Sequence, residues 1–324
     1  MENTNNSPIA ETEVKEPKIE GSVSLDVSRS EILKSLIEAY EKNGTDEKKK
    51  EFSDLLSKRL KQQILKHECS AKYNMIIIFD NTILVKSDSD RIYRAVSLLT
   101  DKTKPLLLIL LSKGGQPGSA YLIGKLCRES CNGKFVVVVP RYAKSAATLL
   151  ATAANEIHMG SLSELGPIDP QIDGMPTLGL KNSIEHITEL VNKAPGSAEM
   201  FARYLSRSIA PIQIGYYERV AESAAQYAEK LLETHRESLG SSSKEIAKKL
   251  VYDYKDHGFV IDRAEAQEIF GEKIIKSNSP EYKLGNEIYV ELSAVEEIAD
   301  ILGYNFYFIG LPEFEPGLTE KKKK

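Results

Sequence analysis

Two short segments of this 324-residue chain hold residue types at spacings that chemistry can use. One is Leu111-Ser-Lys-Gly-Gly-Gln-Pro-Gly-Ser119, which follows an apolar run and precedes a helical pattern. Its consecutive glycines, Gly114 and Gly115, let the backbone take positive φ and approach a ligand closely. Backbone N–H groups in such a turn can face a developing negative charge. The G-x-x-x-x-G-K-S/T spacing of a phosphate loop is missing, and a plain tight turn explains a lone Gly-Gly equally well. The other segment is Val139-Pro-Arg-Tyr-Ala-Lys-Ser-Ala-Ala-Thr-Leu-Leu150, in which Ser145 opens a helix of small residues. A serine there reads either as an N-cap or as a nucleophile. In the second reading the free N–H groups of the helix start help hold an oxyanion, Ala146 supplying one donor.

A nucleophilic serine needs a base, and the chain has five histidines. His67 falls on an early helix, His158 in an apolar run, and His186 and His235 on helical stretches. His257 lies in Lys255-Asp-His-Gly-Phe-Val-Ile-Asp262, a loop-to-helix junction. For any one of them a solvated or structural role is the ordinary reading. Lys144 adjoins Ser145, but adjacent loop side chains diverge, and a lysine base must be desolvated to lose its proton. Cys69, Cys127 and Cys131 form no C-x-x-C pair and have no His-rich neighbour segment, so they read as reduced thiols rather than zinc ligands. That suits a reducing compartment.

The elements that must position these residues follow from the apolar pattern. Ser28 to Tyr40 and Lys48 to His67 carry helical periodicity. Met75 to Phe79, Leu106 to Leu111, Phe135 to Val139 and, more weakly, Glu156 to Met159 are short continuous apolar runs. Runs of that kind read as strands buried on both faces. Helical stretches lie between them at Ser89 to Leu99, Gly118 to Cys131 and Ala146 to Ala154, so the fold class is α/β: a mostly parallel sheet flanked by helices. Lys181 to Leu250 reads as an added helical arm. Pro280 to Gly303 contains another amphipathic helix, and the last residues read as a tail. The expected divisions are a disordered tail over 1–27, N-terminal helices over 28–68, a catalytic core over 69–180 and a helical layer over 181–275. A C-terminal α/β segment over 276–318 and a basic tail over 319–324 complete them.

Composition narrows the function classes. With 43 Lys and Arg against 47 Asp and Glu, the chain lacks the basic excess of a nucleic-acid binder. No window approaches the ~18 apolar residues of a membrane span, and Met1 to Ser30 lacks the basic start and apolar stretch of a signal peptide. No G-x-G-x-x-G follows a predicted strand, so no dinucleotide is expected.

The order of these motifs resembles that of the Clp-like peptidases. It runs strand, Gly-Gly, helix; then strand, loop, Ser145, helix; then Ala153-Ala-Asn-Glu-Ile-His-Met159 and Leu165-Gly-Pro-Ile-Asp-Pro170. It is most similar to the serine dehydrogenase proteinase family, a distant relative of the Clp proteolytic subunit and of signal peptide peptidase A, over about Glu51 to Gly271. The resemblance implies a Clp/crotonase-like fold and a serine endopeptidase with a Ser, Asp, His triad in that chain order. Ser145 falls on the nucleophile and Asp169 on the acid. His257 falls in a segment like the family's His-Gly region and is the favoured base. Backbone N–H groups of Gly115 and Ala146 would hold the oxyanion, and Gly114 would shape the turn. The Clp subunits carry their histidine in the stretch where this chain has Asp169, and an Asp before Pro also starts turns. Signal peptide peptidases use a Ser–Lys dyad, but their lysine lies far from the serine in sequence. The resemblance further implies a homo-oligomer, a peptide or unfolded-protein substrate and no cofactor, and leaves an ATPase partner open. Many relatives carry an N-terminal membrane helix; its lack here favours a cytoplasmic protein. Two other classes compete: a non-catalytic assembly module on the same fold, and a crotonase-like acyl-CoA enzyme, for which no acid/base carboxylate or adenine pocket is identifiable.

Overall fold

The computed structural model describes residues 26–41, 44–131, 133–172 and 174–321. Most of the expected N-terminal tail lies outside them, as do Lys322 to Lys324. Two helices come first, α1 (Arg29–Tyr40) and α2 (Asp46–Leu65). Ser28 and Glu31 cap α1 reciprocally, and the Thr45 hydroxyl caps α2. Alternating units follow: β1 (Asn74–Asp80), α3 (Lys86–Ser97), β2 (Leu106–Ser112), α4 (Pro117–Glu129), β3 (Phe135–Val139), β4 (Tyr142–Ala143), α5 (Ala146–Ala151), β5 (Glu156–Met159) and β6 (Glu164–Leu165). A small hairpin of β7 (Gln171–Ile172) and β8 (Met175–Pro176) leads into the arm of α6 (Thr177–Lys193), α7 (Ala198–Ser208) and α8 (Pro211–Leu232). The chain closes with α9 (Ser243–Lys248), β9 (Ile261–Asp262), α10 (Arg263–Phe270), β10 (Ile275–Lys276), α11 (Pro280–Ile301), β11 (Tyr304–Gly310) and β12 (Gly317–Glu320).

Strands order as β10-β5-β3-β2-β1-β11-β12, with β4 against β2 and β6, and β6 against β9. β1, β2, β3, β5 and β10 run parallel; β11 and β12 are antiparallel. The continuous apolar runs have their cause here. Side chains alternate across a strand, and both faces are covered. Ile76, Ile78, Leu108, Leu110, Val137 and Val139 pack under α4, α5 and α8. Ile77, Phe79, Leu107, Ile109, Val136 and Val138 pack under α1, α2 and α11. Burying each such side chain contributes about 1.5–3 kcal/mol. Arg29, Arg59 and Gln63 from the N-terminal helices all bond the buried Glu291 carboxylate of α11. Burial pushes that carboxyl up, but the two guanidinium groups outweigh it and hold it below its usual range.

Within the C-terminal segment expected over 276–318, Tyr304–Gly310 pairs with β1 inside the main sheet and with β12. Two expected bounds need correction. The basic tail set at 319–324 begins on a strand, since Thr319 and Glu320 belong to β12. Val27, set in the disordered segment, is buried, and its N–H donates to Gln62. No helix among the described residues is long and apolar enough to cross a membrane.

Candidate active site

β2 and β4 end side by side, Ser112 opposite Ala143. The chain leaves both strands at the carboxyl edge of the parallel sheet, where α/β folds bind ligands. The Lys144 N–H donates to the Ser112 carbonyl at 2.9 Å, tying the two exits together. Ser145 then turns the chain into α5 with φ 52° and ψ −120°. Such a conformation costs a non-glycine residue about 1–3 kcal/mol, and surrounding bonds must impose it. They are present. The fully buried Thr148 hydroxyl donates to the Ala143 carbonyl at 2.6 Å and accepts from the Gly166 N–H at 3.1 Å. Ala147 N–H donates to the Lys144 carbonyl at 2.8 Å. The Ser145 hydroxyl makes no capping bond, so the N-cap reading fails: the oxygen is left available at the mouth of the helix.

Gly114 fits against this turn. A Cβ there would sit 2.6 Å from the Lys144 carbonyl oxygen and 2.9 Å from both Ala146 N and Ser145 Cβ, and its φ is +102°. Any side chain would push the serine turn away. The Gly114 N–H donates to Ser112 Oγ at 3.1 Å, so this glycine shapes the turn and does not itself face an oxyanion. Gly115, at φ +155°, lies against Leu84: a Cβ would meet the Leu84 carbonyl oxygen at 2.3 Å. Leu84 N–H bonds the Gly114 carbonyl, and Gln116 N–H bonds the Leu84 carbonyl, each at 2.9 Å. The Ala146 N–H, at the first helical position, has no intrahelical acceptor.

Asp169 and His257 reach the same region through β6. Leu165 pairs with Ala143 on one side and Ile261 on the other. Asp169 is buried, and its Oδ2 lies 3.8 Å from His257 Nδ1. That is an ion-pair approach, longer than a hydrogen bond. Asp169 Oδ1 and His257 Nδ1 are both buried without a hydrogen-bond partner. No hydrogen bond joins Ser145 to His257 among the described residues. Ser145, Gly114 and Ala146 are thus in direct contact, and Asp169 and His257 approach each other, without closed serine–imidazole or imidazole–carboxylate bonds.

The other histidines have different surroundings. His67 Nε2 lies 3.0 Å from Glu287. His186 is exposed on α6. His235 is buried, and burial followed by the nearby Arg128 pushes its ring down to about 4. His158 sits 2.6 Å from Ser279 Oγ and 3.2 Å from Glu156. Sequence reasoning set Lys144 aside and passed over Thr148. The Lys144 ammonium bonds the carbonyls of Leu165 and Phe259, both at 3.2 Å, and pairs with Glu164 at 3.2 Å. Its adjacency to Ser145 was the available signal; the acceptors it finds come from distant segments. Two residues beyond Gly115 a groove begins between α4 and α8, lined by Pro117, Gly118, Ile212, Tyr216, Val220 and Tyr227.

An uncharacterized protein of Methanocaldococcus jannaschii is 29% identical over 182 residues, covering 56% of this chain and 57% of that protein. A second from the same organism is 37% identical over 93 residues, covering 29% and 31%. The chain therefore spans under two thirds of the length of either. Among solved structures, the membrane-bound stomatin-specific protease 1510-N aligns at 13% identity and TM-score 0.40, over 63% of this chain and 78% of that one. A ClpP1 variant from Listeria monocytogenes aligns at 14% and TM-score 0.39, over 68% and 98%. Residues 47–195, a segment that carries Gly114, Ser145 and Asp169, match the family model of the ClpP-like SDH-type serine proteinases.

Proposed function

We propose that this protein is a serine endopeptidase that cleaves peptides or unfolded protein with Ser145 as nucleophile. The observation that carries the reading is the Ser145 turn. A strained, uncapped serine sits at a helix start, against a glycine that admits no side chain. Strain of this kind persists only where the surroundings impose it, and it is concentrated at reacting centres. In the proposed reaction the His257 imidazole takes the hydroxyl proton as Oγ attacks the scissile carbonyl, and later returns it to the leaving amine. Asp169 fixes the ring tautomer and stabilises the imidazolium. The Gly115 and Ala146 N–H groups receive the oxyanion; losing one such donor costs about 2.7–4 kcal/mol of transition-state stabilisation. The separation of 3.8 Å between Asp169 and His257 suits a site whose hydrogen bonds tighten on substrate engagement.

The proposal includes a cytoplasmic homo-oligomer with no cofactor and no nucleic-acid partner, and leaves an ATPase partner open. Apart from the bounds of the two tails it keeps the expected divisions of the chain, with 69–180 as the catalytic core and the base supplied from the 181–275 layer. One observation favours a second reading, an assembly module: α7 has no buried residue and exposes Met200 and Tyr204. The deciding experiment is labelling of the full chain with a fluorophosphonate probe. Labelling that is lost in Ser145→Ala and slowed in His257→Ala supports the peptidase. A wild-type chain that stays unlabelled favours the module.

A further inference from the structure

We infer that Lys144 is a positioning residue that clamps the His257 loop beside the nucleophile, an inference that rests on the peptidase reading above. An ammonium has three donors and no acceptor. The Lys144 ammonium meets the Leu165 carbonyl, the Phe259 carbonyl and the Glu164 carboxylate, each at 3.2 Å. These acceptors lie on different parts of the site. Leu165 and Glu164 form β6, the strand that leads to Asp169. Phe259 follows His257 by two residues.

The backbone of the same residue bonds Ser112 and Ala147. Lys144 is therefore where the glycine turn, the serine turn, the acid segment and the base loop are joined. Apart from this tether and the 3.8 Å approach of His257 to Asp169, the 256–260 loop has short-range support among the described residues. Phe259 N–H bonds the Asp256 carbonyl and Gly258 N–H bonds Asp256 Oδ1, both at 3.1 Å. The Phe259 ring packs at a tilt against Tyr254, their centroids 4.8 Å apart. Each of these joins the loop to its own neighbours. The Lys144–Phe259 bond instead joins the base loop directly to the residue before the nucleophile.

The groups around the ammonium also argue against its acting as base. A lysine base would have to reach the Ser145 hydroxyl, and here the three donors of the ammonium face a carboxylate and two carbonyl oxygens instead. The lysine beside the serine therefore holds the ring that moves the proton and does not move it.

The test uses the full chain and two readouts: inactivation kinetics of Ser145 with a fluorophosphonate, and hydrogen exchange by peptide. In Lys144→Met the maximal inactivation rate falls by about tenfold to a hundredfold, as for other small misplacements of reacting groups. The probe's binding constant changes little. Exchange over 256–260 accelerates while that over 106–112 stays at the wild-type level. Lys144→Arg keeps a cation that cannot serve as a base, and it labels faster than Lys144→Met.

Exchange over 256–260 that stays at the wild-type level in Lys144→Met overturns the inference, whatever the labelling does. So does equal loss in the Met and Arg variants with His257→Ala labelling at the wild-type rate, which would make Lys144 the base. If Lys144→Met loosens 106–112 as well, Glu164→Gln replaces it, and unchanged loop exchange there overturns the inference. A wild-type chain that never labels defeats the peptidase reading, while loop exchange still decides the clamp.

Discussion

Among the described residues, two groupings of serine, histidine and carboxylate differ in how completely their bonds are made. In the first, on β5 and at the start of α11, Ser279 Oγ lies 2.6 Å from His158 Nδ1, and Glu156 lies 3.2 Å from the other ring nitrogen. Lys134 pairs with Glu156 at 2.8 Å. Ser279 also caps α11 through the Tyr282 N–H, in an ordinary extended conformation. In the second, Ser145 is strained and uncapped, and His257 and Asp169 stop at 3.8 Å with buried atoms unpaired. A fully bonded polar cluster stabilises its fold. An incompletely bonded one costs stability, and the molecule retains it where the free valences have another use. Residue types alone would not tell the two apart; the unmade bonds do.

The contrast can be broken or sharpened by experiment. The largest effect is expected for Ser145→Ala, which should lower probe labelling and peptide hydrolysis by about 10⁴-fold or more without lowering the urea midpoint; loss of stability with unchanged hydrolysis would reverse the assignment of the two groupings. Next, His158→Ala should destabilise the fold by about 1–3 kcal/mol in urea unfolding, by removing a buried ring and its bonds to Ser279 and Glu156. The fraction that stays folded should label at the wild-type rate, and a silenced Ser145 there would break the contrast.

A smaller effect is expected in acid. Burial pushes the Glu156 carboxyl up, but the bonds from His158 and Lys134 outweigh it and hold it at about 2, against an ordinary 4.5. The folded state then binds its proton later than the unfolded state. This contribution to stability is complete above pH 4.5 and is lost as pH falls toward 2. Glu156→Gln should flatten that part of the curve, and an unchanged acid slope would count against the network. The smallest effect is expected for Ser145→Gly, which relieves the positive φ and should raise stability by about 0.5–1 kcal/mol. A lower midpoint would mean the turn is not strained.

The sheet was readable because its central strands are covered on both sides: Leu106 to Leu111 and Phe135 to Val139 have no polar face to disguise them. β11 was not, since Tyr304, Asn305 and Tyr307 are only partly buried and break the apolar run. Of the candidate site, Gly114 and Ser145 stood out as local motifs, each with a commonplace alternative. What decides between the alternatives is not written locally. A backbone angle of φ 52° has no residue signature outside glycine, and the absent capping bond is a matter of geometry. Asp169 and His257 are far apart in the chain, and only the family resemblance paired them. The acceptors of Lys144 are two carbonyls and a carboxylate that no spacing rule connects.

The late strand β11 has a consequence for synthesis. β1 carries its hydrogen-bonding partner on one flank early, when β2 is made, but the other flank waits for Tyr304–Gly310. Pairing across so much intervening chain is slow, and an uncovered strand edge invites the wrong neighbour. The nascent chain therefore carries its serine turn on an unfinished sheet until nearly the last residues described here have left the ribosome. A truncation before Tyr304 would leave that flank of β1 uncovered and yield a sticky fragment.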